Sequence, residues 1–336
     1  MRTAVYVSNA ESADVSVLHL DDTSGALTPV QRVDAGGVVM PLALSPDARF
    51  LYASRRSAPF AVLSFAIDPA SGELSLLGEA PLPQSMAYIA TDRSGRHLLS
   101  ASYGANVVAV NAIDGDGLAR ALTQVMPTGL NAHAICTDPS NRFAFVTNLG
   151  AGVVMQLCFD ASSGQLVPNV PPSIAVRAGA GPRHLAWHPA GHVLYLLNEL
   201  DASIDVFAFE PQRGTLAHLQ TVASMPAGFE GKPWAADLHL TPDGRFLYSS
   251  DRRSHTLAGF TVEASTGLLS PLGHTLTLAE PRGFNITLDG RWLIAAGQAA
   301  HRVGVYRIDP HSGALDSVCE HAVGRGPNWV ETVRLA

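Results

Sequence analysis

The residues best suited to chemistry are a set of arginines that accompany one glutamate and one histidine. They occupy two kinds of position, one at the start of an expected strand and one at the end of the strand that follows it. The starts carry His133, Arg183 and Arg282, and the ends carry Arg56, Glu199, Arg252 and Gln298. Guanidinium groups bind phosphate or carboxylate through bidentate, charge-assisted hydrogen bonds, and a carboxylate or an imidazole beside them can transfer a proton. The set therefore predicts a site for a small anion with acid–base groups inside it.

A turn-plus-strand phrase sets these positions, and it recurs along the whole chain. Its full form is Pro-Asp-Gly-Arg-Phe-Leu-Tyr at 242–248, and successive copies are about 48 residues apart. The basic residue of the phrase is Arg2, Arg49, Arg96, Arg142, His192, Arg245 and Arg291 in the seven copies. A second hairpin phrase of the Ser-Gly-x-Leu type alternates with the first. Two hairpins per repeat delimit four short strands, so the sequence predicts an all-β, seven-bladed β-propeller with four antiparallel strands per blade.

The two ends of the sequence are expected to build one blade together and so close the ring. The phrase Gly-Pro-Asn-Trp-Val at 326–330 matches the innermost strands of the other repeats, but no hairpin partner follows it. The missing partner is the strand pattern at 5–9. Pairing between the two segments removes the exposed sheet edges of an open array. We therefore expect residues 1–336 to form a single propeller domain.

The strand order brings the chemical residues to one rim of the central channel. Each innermost strand starts at this rim, turns at the opposite rim, and is followed by a strand that returns. The recurrent arginines of the turn phrase then lie at the opposite rim and have a structural role. One step inward from the rim, His184 and Asp237 are predicted to support the site from a second layer. Tyr103 is expected to extend the rim, His188 to pack within a turn, and His239 to be a hydrogen-bonded core residue.

Composition excludes several classes of function. The net charge of -7 argues against nucleic acid as a partner, and the absence of a long apolar run argues against a membrane span. Three cysteines, Cys136, Cys158 and Cys319, lack metal-binding spacing and are expected to be reduced thiols. The sequence opens directly with a strand pattern, so we expect no signal peptide. These features predict a cytoplasmic monomer.

The motifs of metal, cofactor and covalent chemistry are missing from the sequence. No paired-histidine or paired-carboxylate spacing occurs, and a ring of arginines opposes a cation. The phosphate-binding loop, the dinucleotide fingerprint and the nucleophile elbow are also absent. We therefore predict no metal and no cofactor, and a covalent serine or cysteine mechanism has no support.

Two repeats are longer than the others, and their extra residues are expected in connections between blades at the functional rim. One insertion is at 167–172. The other is at 223–234 and carries Phe229, Lys232 and Trp234. The second is a candidate lid over a ligand, and the alternative is a tolerated surface insertion.

Several phrases together resemble one known family across essentially the whole chain. They are Gly-Pro-Arg-His at 181–184, Asn-Glu-Leu at 198–200, the run from Trp234 to Arg245, Pro-Arg-Gly-Phe-Asn at 281–285, and Gly-Arg-Gly-Pro-Asn-Trp-Val at 324–330. The sequence resembles the bacterial 6-phosphogluconolactonases of the seven-bladed propeller lactonase family, which is similar to the fungal carboxymuconate-lactonising enzymes. The resemblance implies hydrolysis of a phosphorylated sugar lactone, 6-phospho-D-glucono-1,5-lactone, in the pentose phosphate pathway. It also implies His133, Arg183 and Glu199 as the catalytic set.

The predicted mechanism is attack of water on the ring-ester carbonyl. Either Glu199 or His133 is the general base, and Arg183 stabilises the oxyanion. Arg252 and Arg282, with Arg56 and Gln298 beside them, are predicted to bind the phosphate. Two alternatives stay open: a lactonase or cycloisomerase for a carboxylated, unphosphorylated lactone, and a non-catalytic interaction propeller. The polar, arginine-rich rim argues against the second, because interaction surfaces are enriched in apolar and aromatic residues.

Overall fold

The computed structural model of the protein describes residues 2–336, all of whose regular structure is β-strand. Met1, the first residue of the expected domain, lies outside the described residues. Seven four-stranded antiparallel sheets form the blades, so the predicted architecture is confirmed. Along residues 2–336 there is no helix that is long and apolar enough to cross a membrane.

Six blades are each built from four consecutive strands, and the first strand of each blade is the innermost. Blade II contains β4 (Val39–Leu44), β5 (Phe50–Arg55), β6 (Ala61–Ile67) and β7 (Leu74–Pro81). Blade III contains β8 (Tyr88–Thr91), β9 (His97–Ser102), β10 (Val107–Ile113) and β11 (Ala119–Pro127). Blade IV contains β12 (Ala132–Thr137), β13 (Phe143–Asn148), β14 (Val153–Asp160) and β15 (Gln165–Ala175). Blade V contains β16 (Pro182–Trp187), β17 (Val193–Asn198), β18 (Ser203–Glu210) and β19 (Thr215–Ala223). Blade VI contains β20 (Ala235–Leu240), β21 (Phe246–Asp251), β22 (Thr256–Val262) and β23 (Leu269–Leu276). Blade VII contains β24 (Pro281–Ile286), β25 (Trp292–Gly297), β26 (Arg302–Ile308) and β27 (Leu315–Ala322).

Blade I joins the two ends of the described chain, as the sequence predicts. It contains β1 (Arg2–Asn9), β2 (Asp14–Asp21), β3 (Leu27–Asp34) and, as its innermost strand, β28 (Pro327–Arg334). The pairing runs antiparallel from Thr3 opposite Arg334 to Asn9 opposite Pro327. Neither chain end leaves an open sheet edge at the channel.

Apolar side chains pack between neighbouring blades. Because successive side chains on a strand point to opposite faces, Ala4 and Tyr6 pack against blade II, whereas Val5 and Val7 pack against blade VII. Tyrosines on the second strands also donate hydrogen bonds to the hairpin glycines of the next blade. For example, the Tyr195 hydroxyl lies 2.8 Å from the carbonyl oxygen of Gly267. These contacts join each blade to the next, which explains why both turn phrases recur.

The arginines of the turn phrase lie at the end of the channel that we call the hairpin rim, after the turns between first and second strands. Arg142 stacks on the Phe143 ring at 5.3 Å and donates to the carbonyl oxygen of Pro211 in the next blade. Arg245 stacks on Phe246 in the same way. Their predicted structural role is confirmed.

The insertion at 167–172 is not a connection between blades, and the prediction was wrong. It lies inside the outermost strand β15, where the pairing with β14 jumps from Leu157–Pro168 to Met155–Ser173. An outer strand has no further partner, so it can bulge without breaking a second ladder. Asn169 within the bulge donates to the carbonyl oxygen of Arg213 in the next blade.

Candidate active site

A β-bulge at the start of the innermost strands positions the site. The register shifts between Ala132 and Ile135 in β12, between Pro182 and His184 in β16, and between Pro281 and Phe284 in β24. Bulges re-aim side chains and often adjoin active sites. The bulge residues include His133, Arg183 and Arg282. We call this end of the channel the arginine rim, defined by Arg56, Arg183, Arg252 and Arg282.

Arg183 contacts the other two residues predicted as catalytic, Glu199 and His133. Its Nη1 donates to Glu199 Oε2 at 2.8 Å and contacts His133 Nε2, while its Nε donates to the carbonyl oxygen of Ala236 at 2.7 Å. The Arg183 side chain is only 3% exposed, whereas Glu199 is 14% exposed. The guanidinium is therefore fixed, and the carboxylate is the member of the set that meets the channel opening.

His133 is held in its neutral form. Burial, followed by the positive charge of Arg183, lowers its pKa well below the ordinary value. A guanidinium only donates hydrogen bonds, so Nε2 of His133 must accept, and the ring proton is on Nδ1. That Nδ1 is buried without a hydrogen-bond partner among the described residues. The lone pair that a general base would use is thus already occupied by Arg183.

Arg252 binds the other side of Glu199. Its Nη2 lies 3.2 Å from Glu199 Oε2, and its side chain is 2% exposed. The indole ring of Trp234 stacks under this guanidinium at 3.7 Å and donates from Nε1 to Glu199 Oε1 at 3.2 Å. Both carboxylate oxygens of Glu199 are therefore held by hydrogen bonds.

Trp234 is a site residue whose contacts the sequence did not reveal. Its backbone N–H donates to Asp251 Oδ2 at 2.7 Å, which fixes the end of the 223–234 connection. Arg253 stacks near the same indole at 4.8 Å. The only signal was the aromatic residue at the end of an inserted connection. Nothing tests closure of that connection over a ligand, so the lid stays a prediction.

Two further arginines complete the rim. Arg282 Nη1 lies 3.4 Å from Gln298 Oε1. Arg56 donates from Nε to Ser85 Oγ at 2.9 Å and from Nη1 to Met40 Sδ at 2.8 Å. Neither arginine has a carboxylate partner within hydrogen-bond distance in residues 2–336. Both are half-buried, so their guanidinium groups are available to an anion in the channel opening.

The rim is short of negative charge. Burial and the neighbouring arginines lower the pKa of Arg252 to about 8 and that of Arg282 to about 9. A guanidinium keeps its proton in proteins, so these directions mean that desolvation and like-charge repulsion destabilise the cluster. Of the four guanidinium groups, those of Arg183 and Arg252 contact the carboxylate of Glu199, and the other two have no carboxylate partner among residues 2–336. An anion entering the rim would relieve this repulsion.

His184 and Asp237 lie in contact with each other, and their role as a second layer stays a prediction. His184 Nδ1 lies 2.8 Å from Asp237 Oδ1, and both side chains are buried. Burial lowers the pKa of His184 to about 4. His239 Nε2 contacts the other oxygen of Asp237 at 3.3 Å. The His184 ring packs edge-on against the His133 ring at 5.2 Å, which is the contact between this pair and the residues predicted as catalytic.

Three minor predictions are also settled. His188 packs in its turn against His192 and accepts from the backbone N–H of Ala190, as predicted. His239 is hydrogen-bonded as predicted, but its side chain is 35% exposed to the channel and so is not a core residue. Tyr103 is 37% exposed at the rim and contacts the His133 ring edge-on at 5.9 Å. Within residues 2–336 no group of three or more histidine, cysteine or acidic side chains is placed to hold a metal ion.

Comparison with known proteins gives one consistent family. The profile of the family described as Lactonase, 7-bladed beta-propeller, matches residues 4–332. The chain is 44% identical over 332 residues to a 6-phosphogluconolactonase of Yersinia pestis, with 98% of each chain covered. It is 42% identical over 331 residues to the 6-phosphogluconolactonase of Serratia proteamaculans, again with 98% of each covered. Among solved structures, the periplasmic gluconolactonase of Pseudomonas aeruginosa superposes with a TM-score of 0.93 at 27% identity, covering 100% of both chains.

Proposed function

The chain belongs to the seven-bladed β-propeller lactonase family, and we propose from this premise that it is a 6-phosphogluconolactonase. It hydrolyses 6-phospho-D-glucono-1,5-lactone to 6-phospho-D-gluconate. The observation that carries the proposal is the arginine rim, where two of the four guanidinium groups contact Glu199 and the other two have no carboxylate partner among residues 2–336. The surplus of positive charge suits a phosphate, which carries up to two negative charges near neutral pH.

We assign the general base to Glu199 rather than His133. The Nε2 lone pair of His133 faces the Arg183 guanidinium, and its lowered pKa makes it a weak base. Glu199 is an anion fixed from both sides and is the most exposed of the three catalytic candidates. A carboxylate in this setting can take a proton from a water that attacks the lactone carbonyl.

The chemical steps then balance as follows. Water oxygen bonds to the carbonyl carbon while Glu199 accepts one of its protons, and Arg183 stabilises the negative charge that develops on the carbonyl oxygen. The tetrahedral intermediate collapses by breaking the bond to the ring oxygen. Protonated Glu199 returns its proton to that ring oxygen, which becomes a hydroxyl. The new carboxylic acid ionises and releases one proton to solvent.

Arg56, Arg252 and Arg282 are proposed to bind the phosphate, with Gln298 orienting Arg282. The pKa values of the three arginines are lowered by burial and by the positive charge of Arg183, which supports an affinity for anions. His184 and Asp237 are proposed as positioning residues, because the His184 ring packs against the His133 ring and Asp237 fixes His184. We further propose a cytoplasmic monomer. Its support is the three free cysteines and the scattering of exposed apolar side chains over different blades.

The test is lactone hydrolysis by purified protein, with the spontaneous rate subtracted. We expect a strong preference for the phosphorylated lactone over D-glucono-1,5-lactone. Arg183→Ala should lower kcat about 10²-fold, the low end for loss of an oxyanion donor. The matched control is Arg302→Ala, which removes a surface arginine paired with Glu320 and should keep full activity.

Two outcomes would contradict the proposal. Equal rates with both lactones would show that the protein does not recognise the phosphate and would indicate a gluconolactonase. Normal turnover by both Arg183→Ala and Glu199→Gln would remove the arginine rim from the chemistry. Light scattering on a sizing column tests the monomer, and a dimer mass would contradict that part alone.

A further inference from the structure

The central channel contains a second polar cavity, on the other side of the second layer from the arginine rim. Its volume is about 480 Å³, within the range of small-molecule sites. The residues at its mouth, Arg93, Pro189 and Pro242, belong to turns of the hairpin rim. It therefore opens to the face of the propeller opposite the proposed active site.

The layer between the two spaces leaves little room for passage. His184, Asp237 and Trp329 line this cavity and also a chamber of about 10 Å³ beneath Arg183 and Arg282. That chamber is about the size of one water molecule. A sugar-sized molecule could not cross it, so the cavity is a separate site and not the floor of the first.

Polar groups converge on the cavity from several blades. The Tyr88 hydroxyl makes no hydrogen bond within residues 2–336, and His239 presents a partly exposed ring. Glu331 is oriented by two donors, Trp329 Nε1 at 3.0 Å and Asn285 Nδ2 at 3.0 Å. Burial raises the pKa of this carboxyl group to about 7, so that near neutral pH both its acid and its carboxylate form are present. Such fixed polar groups in a concave space are typical of a ligand site.

The rest of the wall is aromatic and apolar. Trp187, Trp329 and Tyr88 line the cavity together with apolar residues of β4, β8, β16 and β20. The Tyr88 and Trp329 rings pack edge-on at 5.3 Å, so one of them fixes the orientation of the other. Flat aromatic surfaces beside a few polar groups accept a molecule that has both C–H faces and hydroxyl edges.

The charges of the lining nearly cancel, which limits the chemical class of the ligand. Asp237 is ionised and paired with histidines, because His239 and the hydrogen bond from His184 outweigh the effect of burial and lower its pKa. Arg93 at the mouth is the one arginine in the lining. An anion would meet Glu331 in its carboxylate form, and an ammonium group would meet His239 and Arg93. A hydroxyl both donates and accepts hydrogen bonds, so it suits acceptors such as Glu331 and donors such as Arg93 alike.

We propose that this channel cavity is a binding site for a neutral, pyranose-sized polyol. It is a site distinct from the arginine rim, and it requires no phosphate. The inference does not rest on the proposed lactonase activity, since its residues are not those of the catalytic set.

The test uses D-glucose as the probe, followed by saturation-transfer NMR and calorimetry with the full chain. We expect weak but saturable binding at tens of millimolar sugar. Tyr88→Phe removes only the hydroxyl and should weaken binding about fivefold, the effect of one neutral hydrogen bond of about 1 kcal/mol. Glu331→Leu should abolish saturation. Arg56→Ala at the other rim is the matched control and should bind D-glucose as the wild type does.

Tyr88→Phe keeps the packing of the aromatic ring and should fold like the wild type. It therefore tests the cavity even if Glu331→Leu lowers the melting temperature. Loss of binding in Arg56→Ala with retention in Tyr88→Phe would place the sugar in the arginine rim and overturn the proposal. So would the absence of any saturable signal with D-glucose. D-Glucose can bind to the cavity in a protein that does not hydrolyse the lactone, and a lactonase can lack the sugar site. The two proposals can therefore be refuted separately.

Discussion

Replacing Glu199 by glutamine tests the electrostatic argument for the arginine rim most sharply. The change keeps the shape of the side chain but removes the carboxylate that, among residues 2–336, is the only one to contact Arg183 and Arg252. Breaking a buried ion pair costs about 3–5 kcal/mol. We expect the lower end, about 3 kcal/mol, because the amide oxygen still accepts a hydrogen bond.

That free energy converts into a measurable shift in melting temperature. A chain of 336 residues has an unfolding entropy of about 0.7 kcal/mol/K near its transition. Glu199→Gln should therefore melt about 4 °C below the wild type in a chloride buffer. Glu320→Gln is the control, because that carboxylate is 51% exposed in its pair with Arg302. Surface pairs contribute about 0–1 kcal/mol, so the control should shift by about 1 °C or less.

Inorganic phosphate should reverse the loss of stability but not the loss of catalysis. The variant has one more net positive charge at the rim and should bind phosphate more tightly than the wild type. At a phosphate concentration 100 times Kd, the stabilisation is about 2.7 kcal/mol, which restores most of the melting temperature. The rate with the phosphorylated lactone should still fall about 10²-fold, because the general base is missing. A variant that melts like the control, or one whose stability does not respond to phosphate, would refute the reasoning.

Two further predictions concern the layer beneath the rim. Burial lowers the pKa of His184 from 6.5 to about 4, so the folded state resists protonation of this ring. The contribution of His184 to stability is therefore complete above about pH 6.5 and is lost as the pH falls toward 4, at up to about 1.4 kcal/mol per pH unit. Denaturant unfolding at pH 7 and pH 5 should show a smaller loss of stability in His184→Gln than in the wild type, and equal losses would contradict the assignment. Gly283→Ala should destabilise the protein by more than about 1 kcal/mol, because the added Cβ would lie 2.5 Å from the backbone oxygen of Asn328. An unchanged melting temperature would show that β24 and β28 do not approach each other this closely.

The architecture was readable from the sequence because each repeat carries two turn signals at fixed spacing. Glycine is required at the hairpin turns. Gly267, for instance, has φ of +72°, and a Cβ there would lie 2.7 Å from Val193 of the neighbouring blade. Turn chemistry and inter-blade packing therefore demand the same residue, and the phrase is repeated in every blade. Residues at the strand ends could then be aligned and placed at one rim without a structure.

What the sequence could not reveal are contacts that depend on side-chain direction. The bulges that aim Arg183 and Arg282 into the channel add a residue without any distinctive composition. The position of the Trp234 indole under Arg252 depends on the path of the 223–234 connection. Burial decides that His133 is neutral and faces a guanidinium, and burial is a property of the assembled ring. The roles of these residues stay predictions until the variants are measured.

The closure of the ring in blade I also bears on how the protein is made. Strand β28 follows the other described strands in the sequence, and so it leaves the ribosome after them. Yet it supplies the innermost strand of the blade that starts the chain, with Asn328 and Trp329 in the wall of the chamber below the arginines. A chain that stops short of this strand can build six complete sheets and still lack an intact channel. Removing β28 would therefore leave blade I with three strands and open the wall of the chamber below the arginines.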